Sequence, residues 1–182
     1  TDGIGYMRSV SNAGYHIIGK KMTLLGAGGA ATAICVQAAL DGVASIDIFK
    51  RKNNSWDKVN AFCTQVTSET GCVVRLFDIE NHSLLAKSLS ESAILTNATN
   101  LGMAPDISCS PIPDITMLHK DLIVSDIIYN PKETLLLKQA KKQGCATFNG
   151  LYMLLYQGAA AFTCWTGKEM PIKIIKKKYF SN

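Results

Sequence analysis

The stretch Lys20–Thr32, which reads KKMTLLGAGGAAT, decides the fold of this chain. Its first half is a short apolar run typical of a buried strand, and its second half has the glycine spacing GxGxxA. Glycine at position 26 permits a tight turn with positive φ, and Gly28 lacks the Cβ that would hold a phosphate away from the backbone. The stretch therefore predicts the strand, turn and helix start of a dinucleotide-binding βαβ unit.

The helix that follows this turn strengthens the prediction. A helix N-terminus offers free N–H groups and a partial positive charge to phosphates, and Ala31 lets the helix pack close to the strand. A second strand at Ala44–Phe49 closes the unit at the expected distance. GxGxxA also occurs in ordinary βα turns that bind nothing, so that alternative stays open. The expected cofactor contacts in the turn are Gly26, Ala27, Gly28, Gly29 and Ala30.

Composition limits the possible classes of protein. The 182 residues are 47% hydrophobic and 18% charged, which is typical of a globular domain with a real core and excludes a disordered chain. No apolar run is long enough to span a bilayer, and no signal-peptide pattern opens the sequence. The six cysteines lack any metal-ligand spacing, so no metal site is predicted and the thiols are interpreted as reduced, buried residues of a cytoplasmic protein.

The net charge of +5 is concentrated in two places, Lys50–Lys52 and the C-terminal run Lys173–Lys178. The C-terminal run is interpreted as the solvated face of a helix. No aromatic residues alternate with the basic ones in the manner of a nucleic-acid-binding module, so nucleic-acid binding is not expected.

Strands and helices alternate along the rest of the chain. This pattern predicts an α/β fold, Rossmann-like and doubly wound, with a mainly parallel six-stranded sheet and flanking helices. Ligands of such sheets bind beyond the carboxyl ends of the strands. After the strand that precedes Gly26, the expected strands are Ala44–Phe49, Cys72–Phe77, Ala93–Asn97, Leu122–Ile128 and Ala146–Phe148. The expected helices are Gly3–Asn12, Ala30–Leu40, Trp56–Glu69, Ser83–Leu89, Glu133–Gln143, Gly150–Trp165 and Ile172–Tyr179, and Ala104–Thr116 is expected to be a loop.

The end of the second strand bears on the choice of cofactor. NAD-specific folds usually place Asp or Glu there, but this chain has Lys50, Arg51 and Lys52, and its next carboxylate is Asp57. Cations at this point favour the 2′-phosphate of NADP, with NAD as a possible second cofactor, and argue against S-adenosylmethionine. A solvated loop tip with chance lysines remains the alternative.

Taken together, these residues resemble the C-terminal, cofactor-binding domain of the quinate/shikimate dehydrogenase family, from Thr1 to Lys168. The resemblance implies an NAD(P)-dependent oxidoreductase of the shikimate pathway of aromatic amino acid biosynthesis. Its implied reaction is the reversible reduction of 3-dehydroshikimate or 3-dehydroquinate. The matching motifs are TDG at Thr1–Gly3, GAGGAA at Gly26–Ala31, KRK at Lys50–Lys52, TNATNLGM at Thr96–Met103, DIIYNP at Asp126–Pro131 and NGLYMLLYQGAAAFTCWTG at Asn149–Gly167.

The resemblance also implies roles at the substrate. Asp2 matches the family's catalytic Asp, which pairs with a Lys to handle the proton of the substrate hydroxyl, and it is expected to bind substrate as well. Gln157 resembles the substrate-binding Gln, and Tyr129 lines the same cleft. From the residues alone, Asp2 could instead cap a helix and Gln157 could satisfy backbone groups.

Further roles implied by the resemblance concern the cofactor. Asn97 and Thr99 resemble a turn that touches it, Gly150 and Met153 resemble positions beside the nicotinamide, and Arg51 matches the Arg at the adenosine phosphate. Two departures from the family pattern favour NADP: Lys50 replaces the usual Asn, and Asn53 stands where relatives that use both cofactors can carry an acid.

The family's N-terminal substrate domain, which carries the catalytic Lys, has no counterpart in the sequence. Residues 1–182 are therefore expected to be one NAD(P)-binding Rossmann domain cut from a longer dehydrogenase. Residues 1–19 would form an interdomain helix and connection, and residues 150–182 the C-terminal helices. Such a piece should bind cofactor without turnover, because a general acid–base must lie within hydrogen-bond reach of the reacting hydroxyl.

Several alternatives stay open. The chain could be a dinucleotide-binding module without catalysis, or part of a dehydrogenase of the methylenetetrahydrofolate dehydrogenase type. The TDG start and Tyr156–Ala159 weigh against the second of these. The preference for shikimate or quinate is not legible from the residues, and a homodimer is possible.

Overall fold

Six parallel strands form the sheet in the computed structural model of this chain, which describes residues 1–180. The spatial order of the strands is β3-β2-β1-β4-β5-β6, so the chain starts in the middle, winds to one edge and then returns to build the other half. This confirms the predicted Rossmann-like α/β fold. The strands are β1 Lys21–Leu25, β2 Ser45–Lys50, β3 Val73–Asp78, β4 Ile94–Asn97, β5 Ile123–Asp126 and β6 Ala146–Phe148.

Helices follow almost every strand, with boundaries close to those predicted. They are α1 Asp2–Asn12, α2 Gly29–Leu40, α3 Trp56–Thr70, α4 His82–Glu91, α5 Leu135–Lys142, α6 Leu151–Thr166 and α7 Ile172–Ile175. The expected loop at 104–116 ends in a 3-10 turn at Ile115–Met117. Helix α7 continues as a π-helical turn at Lys176–Phe180. The last two residues of the predicted C-terminal segment, 181 and 182, lie outside the described part of the chain.

The fifth strand is shorter than expected. The apolar run Leu122–Ile128 predicted a strand along its whole length, but β5 ends at Asp126. The Asp126 side chain accepts a hydrogen bond from the backbone N–H of Ile128 at 3.0 Å, which turns the chain out of the ladder. A polar residue inside an apolar run thus ends the strand at the edge where ligands are expected.

Hydrophobic cores lie on both faces of the sheet. One core includes Tyr6 of α1, Ile34 of α2 and Ile46 of β2, whereas the other includes Leu85 of α4 and Leu136 of α5. Burial of both faces explains why the strands are nearly continuous apolar runs and do not alternate. The sheet is therefore a rigid support for the loops at its carboxyl edge.

Two glycines fix α1 against the helices on either side of it. A Cβ at Gly3 would lie 2.3 Å from the carbonyl oxygen of Ala33 in α2. A Cβ at Gly5 would lie 2.7 Å from the Cβ and the backbone nitrogen of Gln157 in α6. Helix α1 therefore packs backbone to backbone between α2 and α6, at a distance that side chains would prevent.

Tyr6 anchors the same helix to the sheet. Its hydroxyl is hydrogen-bonded to the Thr96 hydroxyl in β4 and lies 2.9 Å from the Ser125 hydroxyl in β5. Burial raises the pKa of Tyr6 to about 12, although both hydrogen bonds act in the opposite direction. The phenol is therefore neutral and holds α1 over the two strands whose ends face the site.

A buried ion cluster lies beneath α4. Asp47 in β2 is 2% exposed, and its carboxylate oxygens lie 2.8 Å from both Lys21 Nζ and Arg75 Nε. Ser88 of α4 donates to the same carboxylate at 2.7 Å. Burial tends to raise the pKa of Asp47, but the hydrogen bonds from Lys21, Arg75 and Ser88 outweigh it and lower the pKa. This cluster ties three strands to α4.

The cysteines are all free thiols, but two of them differ from the prediction. Cys109 and Cys164 are exposed, because Cys109 lies in the loop after β4 and Cys164 lies near the exposed end of α6. Burial raises the pKa of Cys35 to about 12. The buried thiols are Cys35, Cys63, Cys72 and Cys145.

Within residues 1–180, no helix combines the length and the apolar character needed to cross a membrane. The same residues contain no group of three or more His, Cys, Asp or Glu side chains arranged to hold a metal ion.

Candidate functional site

The glycine turn lies at the carboxyl end of β1, between β2 and β4. Gly26 has φ of +100°, and a Cβ there would lie 2.8 Å from the carbonyl oxygen of Ala98, so only glycine fits. Gly28 is the N-cap of α2. A Cβ added at Gly28 or at Gly29 would have no other atom within 4 Å, so the space there is open. The first N–H groups of α2 have no acceptors within the helix, so this open space suits an anion.

A cleft of about 670 Å³ extends from this turn across the ends of β2 and β3. The predicted residues that line it are Gly26, Ala27, Gly28, Lys50, Arg51 and Thr99. Sequence reasoning gave no role to Glu80, His82, or the loop residues Ser110, Pro111 and Pro113, which also line it. Only their positions, after the end of a strand or in the Pro-rich loop, could have indicated that these residues line a cleft.

The three basic residues after β2 differ in environment. Lys50 is 9% exposed, and its Nζ donates to the Arg51 carbonyl oxygen at 2.9 Å and to Asn53 Oδ1 at 2.8 Å. Arg51 is exposed on the cleft wall. Lys52 is exposed, with its Nζ 5.9 Å from the centre of the Trp56 ring, and it does not line the cleft. The structure therefore separates a cluster that the sequence presented as one unit.

Asn97 and Thr99 also have distinct positions. Asn97 is fully buried, with its Oδ1 accepting from the Thr99 backbone N–H at 3.1 Å and from the Thr99 hydroxyl at 2.7 Å. Its Nδ2 donates to Asp126 at 3.1 Å. The structure thus places Asn97 behind the cleft wall, where it holds the turn, whereas Thr99 faces the cleft.

Asp126 connects this turn to the next strand. Besides Asn97, it accepts hydrogen bonds from the Ile128 N–H and, at 2.8 Å, from the Thr134 hydroxyl. Burial raises the pKa of this carboxyl, while the three hydrogen bonds limit the rise. The sequence placed Asp126 in a matching motif but gave it no role; its role in the structure is to fix the ends of β4 and β5 relative to each other.

A second, smaller cleft of about 200 Å³ opens on the other side of the glycine turn. It brings together six of the predicted residues, from α1, the first turn of α2, the loop after β5, and α6 with its N-cap. They are Asp2, Ala30, Tyr129, Gly150, Met153 and Gln157. Gly29 is exposed between the two clefts. Within residues 1–180, no lysine lines the smaller cleft.

The position of Asp2 settles one alternative. Asp2 is the first residue of α1, and the N-cap is Thr1, which makes no side-chain capping bond. The interpretation of Asp2 as a helix cap is therefore wrong. Asp2 instead lines the smaller cleft.

The approach of α6 to the sheet depends on Gly150. A Cβ at this position would lie 1.8 Å from the carbonyl oxygen of Ile127. The close contact places the start of α6, with Met153 and Gln157, over the end of β5. Glycine is therefore required there for packing, whatever the ligand.

Comparisons with known proteins agree with this geometry. The family model of the Shikimate 5'-dehydrogenase C-terminal domain matches residues 150–178. A shikimate dehydrogenase (NADP(+)) from Listeria monocytogenes is 53% identical over 180 residues, which is 99% of this chain and 62% of that protein. The chain belongs to the quinate/shikimate dehydrogenase family. It matches the C-terminal domain of that family, as the motifs predicted.

Two other relatives complete the comparison. A quinate/shikimate dehydrogenase from Escherichia coli is 45% identical over 97% of this chain and 62% of its own length. The crystal structure of shikimate 5-dehydrogenase from Listeria monocytogenes, in complex with shikimate and NAD, superposes with a TM-score of 0.93 at 53% identity. That match covers 97% of this chain and 61% of the crystallised one. The chain thus spans somewhat less than two thirds of the length of these relatives.

Proposed function

We propose that this chain is the NADP-binding domain of a shikimate dehydrogenase. The observation that carries the proposal is the pair of clefts flanking the glycine turn. A dinucleotide is long enough to occupy both, with its pyrophosphate at the N-terminus of α2 between them. The names of the relatives, which mention NADP(+), NAD and shikimate, support this assignment.

The chain's own residues fit the group. The open space above Gly28 and Gly29 leaves room for the pyrophosphate, and the larger cleft has a cationic side chain, Arg51, where the adenosine phosphate would lie. Gly150 and Met153 would contact the nicotinamide, since a glycine backbone and a soft thioether pack well on an aromatic ring. NADP, when bound, supplies the hydride acceptor of the reaction.

The smaller cleft supplies the substrate contacts in this proposal. Asp2 would accept a hydrogen bond from the group that moves the hydroxyl proton, and Gln157 and Tyr129 would orient the ring hydroxyls and the carboxylate. The resemblance implies a lysine as the partner of Asp2. Because no lysine of residues 1–180 lines this cleft, the chain by itself is expected to bind cofactor without turnover.

Calorimetric titration of the chain with NADP, NAD and shikimate tests the proposal. NADP should bind, more tightly than NAD. The variant Gly28→Val should retain the fold, because the space at that position is open, and should lose NADP affinity, because the new side chain fills the pyrophosphate site. Gly158→Ala, which also adds a side chain in open space but lies in α6, is the matched control. Unaltered NADP binding by Gly28→Val would contradict the assignment.

Three broader features belong to the same proposal. The choice between shikimate and quinate rests on the substrate contacts of the whole enzyme, since the relatives include proteins named for each activity. A cytoplasmic location is supported by the four buried free thiols. A homodimer stays a prediction, which sedimentation at several concentrations would test.

A further inference from the structure

A cavity separate from both clefts lies beside α1. It has a volume of about 480 Å³ and opens between α1, the C-terminal end of α2 and the segment 15–18 that leads to β1. The residues that line it line neither cleft. We propose that this cavity binds a free amino acid with a large apolar side chain, such as leucine or phenylalanine, at a site distinct from the proposed cofactor and substrate sites.

The inner wall of the cavity is apolar. Val10 and Ile17 line it and are buried in the core beneath it, and Met7 is half-buried against the same core. Ile4 and Ile18 also line the cavity but are 38% and 54% exposed, so an apolar ligand would remove more of their surface from water. The wall therefore suits an aliphatic or aromatic side chain.

The cavity also has the size and the rigidity of a small-molecule site. Pockets that hold small molecules measure about 300–1,000 Å³, and this one lies within that range. Helix α1, which forms one of its walls, is held against α2 and α6 by the backbone contacts of Gly3 and Gly5. A ligand would thus meet a preformed surface, with little loss of conformational entropy in the protein.

Two basic side chains line the cavity without a partner in the protein. Arg8 follows Ile4 by four residues on α1, so both lie on the same face of the helix. Arg8 and His16 are exposed, and within residues 1–180 neither side chain forms an ion pair or a hydrogen bond. The planar guanidinium group matches a carboxylate through two parallel N–H···O bonds. Arg8 is therefore suited to the carboxylate of a ligand, and His16 adds a second donor to the same cavity.

An acidic residue lines the cavity at the end of α2. Asp41 is the C-cap of this helix, and its Oδ1 accepts a hydrogen bond from Gln37 Nε2 at 2.8 Å. The C-terminal end of a helix carries a partial negative charge, and neither α1 nor α2 has a basic residue in its last turn. The Asp41 carboxylate thus adds to a negative potential, which the ammonium group of a ligand would neutralise.

The two charges identify the class of ligand. Arg8 and Asp41 line one cavity with opposite charges, yet the described residues contain no ion pair between them. A ligand that contacts both side chains needs a carboxylate and an ammonium group, and the apolar wall accepts the rest of it. A phosphate would attract Arg8 but would be repelled by Asp41. Together these features favour a zwitterion with an apolar side chain, which is an amino acid.

Titrations of the ¹⁵N-labelled 182-residue chain, followed by two-dimensional NMR, test the proposal. Phenylalanine and leucine should bind with a Kd of about 1 mM or tighter, the range expected for a ligand of this size. The amide signals that shift should belong to α1, to residues 15–18 and to the end of α2. Three analogues should each bind at least about tenfold more weakly: 3-phenylpropionate lacks the ammonium group, phenethylamine lacks the carboxylate, and glycine lacks the apolar side chain.

Two substitutions test which residue holds which charge. Arg8→Met should weaken phenylalanine about tenfold or more and leave phenethylamine within about twofold, because only the carboxylate loses its partner. Asp41→Asn should weaken phenylalanine to a similar extent without weakening 3-phenylpropionate. Retained affinity for the analogue also shows that each variant is folded. Lys58→Met is the matched control, because it removes an exposed cation from α3 and Lys58 lines none of the three cavities.

Several results would overturn the proposal. Phenylalanine that binds no tighter than its two analogues would show an apolar groove without charge recognition. Unchanged affinity in Arg8→Met or in Asp41→Asn would show that these side chains do not hold the ligand. The proposal would equally fail if the shifted signals belonged only to the two clefts, if no binding occurred at about 20 mM ligand, or if a second copy of the chain covered the cavity in solution.

Discussion

Substitution of Gly5 by Ala tests the backbone contact that places Asp2 beside α6. The new Cβ would lie 2.7 Å from the Gln157 Cβ and backbone nitrogen and 2.8 Å from the Met153 carbonyl oxygen. Ordinary contacts begin at 3.4 Å, so α1 and α6 must separate by about 0.7 Å or more. Overpacking of this kind costs about 1–3 kcal/mol, and the upper end applies because two of the opposing atoms belong to the backbone.

The helix propensity of alanine partly offsets that cost. Ala is favoured over Gly in a helix interior by about 1 kcal/mol, which leaves a net loss of about 2 kcal/mol. For a domain of this size, the loss lowers the Tm by about 4–8 °C. Thermal unfolding followed by circular dichroism measures the shift.

Gly158→Ala provides the matched control on the partner helix. No atom lies within 4 Å of its added Cβ, so only the propensity gain remains and the Tm should rise by about 2–4 °C. Replacement of Gly by Ala is thus expected to lower the Tm at position 5 and to raise it at position 158, although the two positions lie in contacting helices. A Gly5→Ala protein as stable as the unmodified chain would refute the close packing of α1 on α6.

Three further outcomes follow from the same structure. Asp47→Asn should cost about 3 kcal/mol at pH 7, because it leaves Lys21 and its neighbours without their buried partner. The folded-state pKa of Asp47 lies below the unfolded value, so this stabilisation is full at neutral pH and is lost as the pH falls through the folded pKa. Urea titrations at several pH values should therefore show the free energies of unfolding of the variant and the unmodified chain converging in acid. A thiol reagent should modify Cys109 and Cys164 quickly and the four buried thiols only on unfolding, and rapid reaction of more than two thiols would contradict the burial pattern. Gly150→Ala should lose about 3 kcal/mol or more, because its Cβ would lie 1.8 Å from a carbonyl oxygen, and a near-normal Tm would be inconsistent with that contact.

Much of the fold could be predicted because it depends on local patterns. Buried parallel strands are short apolar runs, and the glycine turn has a fixed spacing, so both are legible in a sequence. The rule that ligands bind at the carboxyl ends of strands also predicted which loops would meet. It predicted that Tyr129 and the Gly150 region would lie on one rim, and the family resemblance implied that Tyr129 and Gln157 line one cleft. The structure places these residues along the smaller cleft with Asp2 and Met153.

What could not be predicted depends on the direction of individual side chains. Asn97 reads as a ligand contact, yet its hydrogen bonds turn it toward Thr99 and Asp126. Lys50 lines the larger cleft, but the sequence did not indicate that its Nζ also donates to Asn53. Spacing along the chain does not encode such choices, because a polar residue at a strand end can serve either the ligand or the loop. The early end of β5 has the same origin, since the Asp126 side chain competes with the strand for backbone hydrogen bonds.

The two clefts together are proposed to form one site for hydride transfer between NADP and a shikimate-like substrate. The most direct test is a chimaera in which this chain replaces the matching segment of the Listeria monocytogenes relative, assayed for NADP-dependent oxidation of shikimate. The chimaera should turn over shikimate, and Asp2→Asn should lower its kcat by about 10²–10⁴-fold with NADP binding retained. A folded chimaera that binds NADP and shikimate but has no turnover, or full activity in Asp2→Asn, would contradict this proposal.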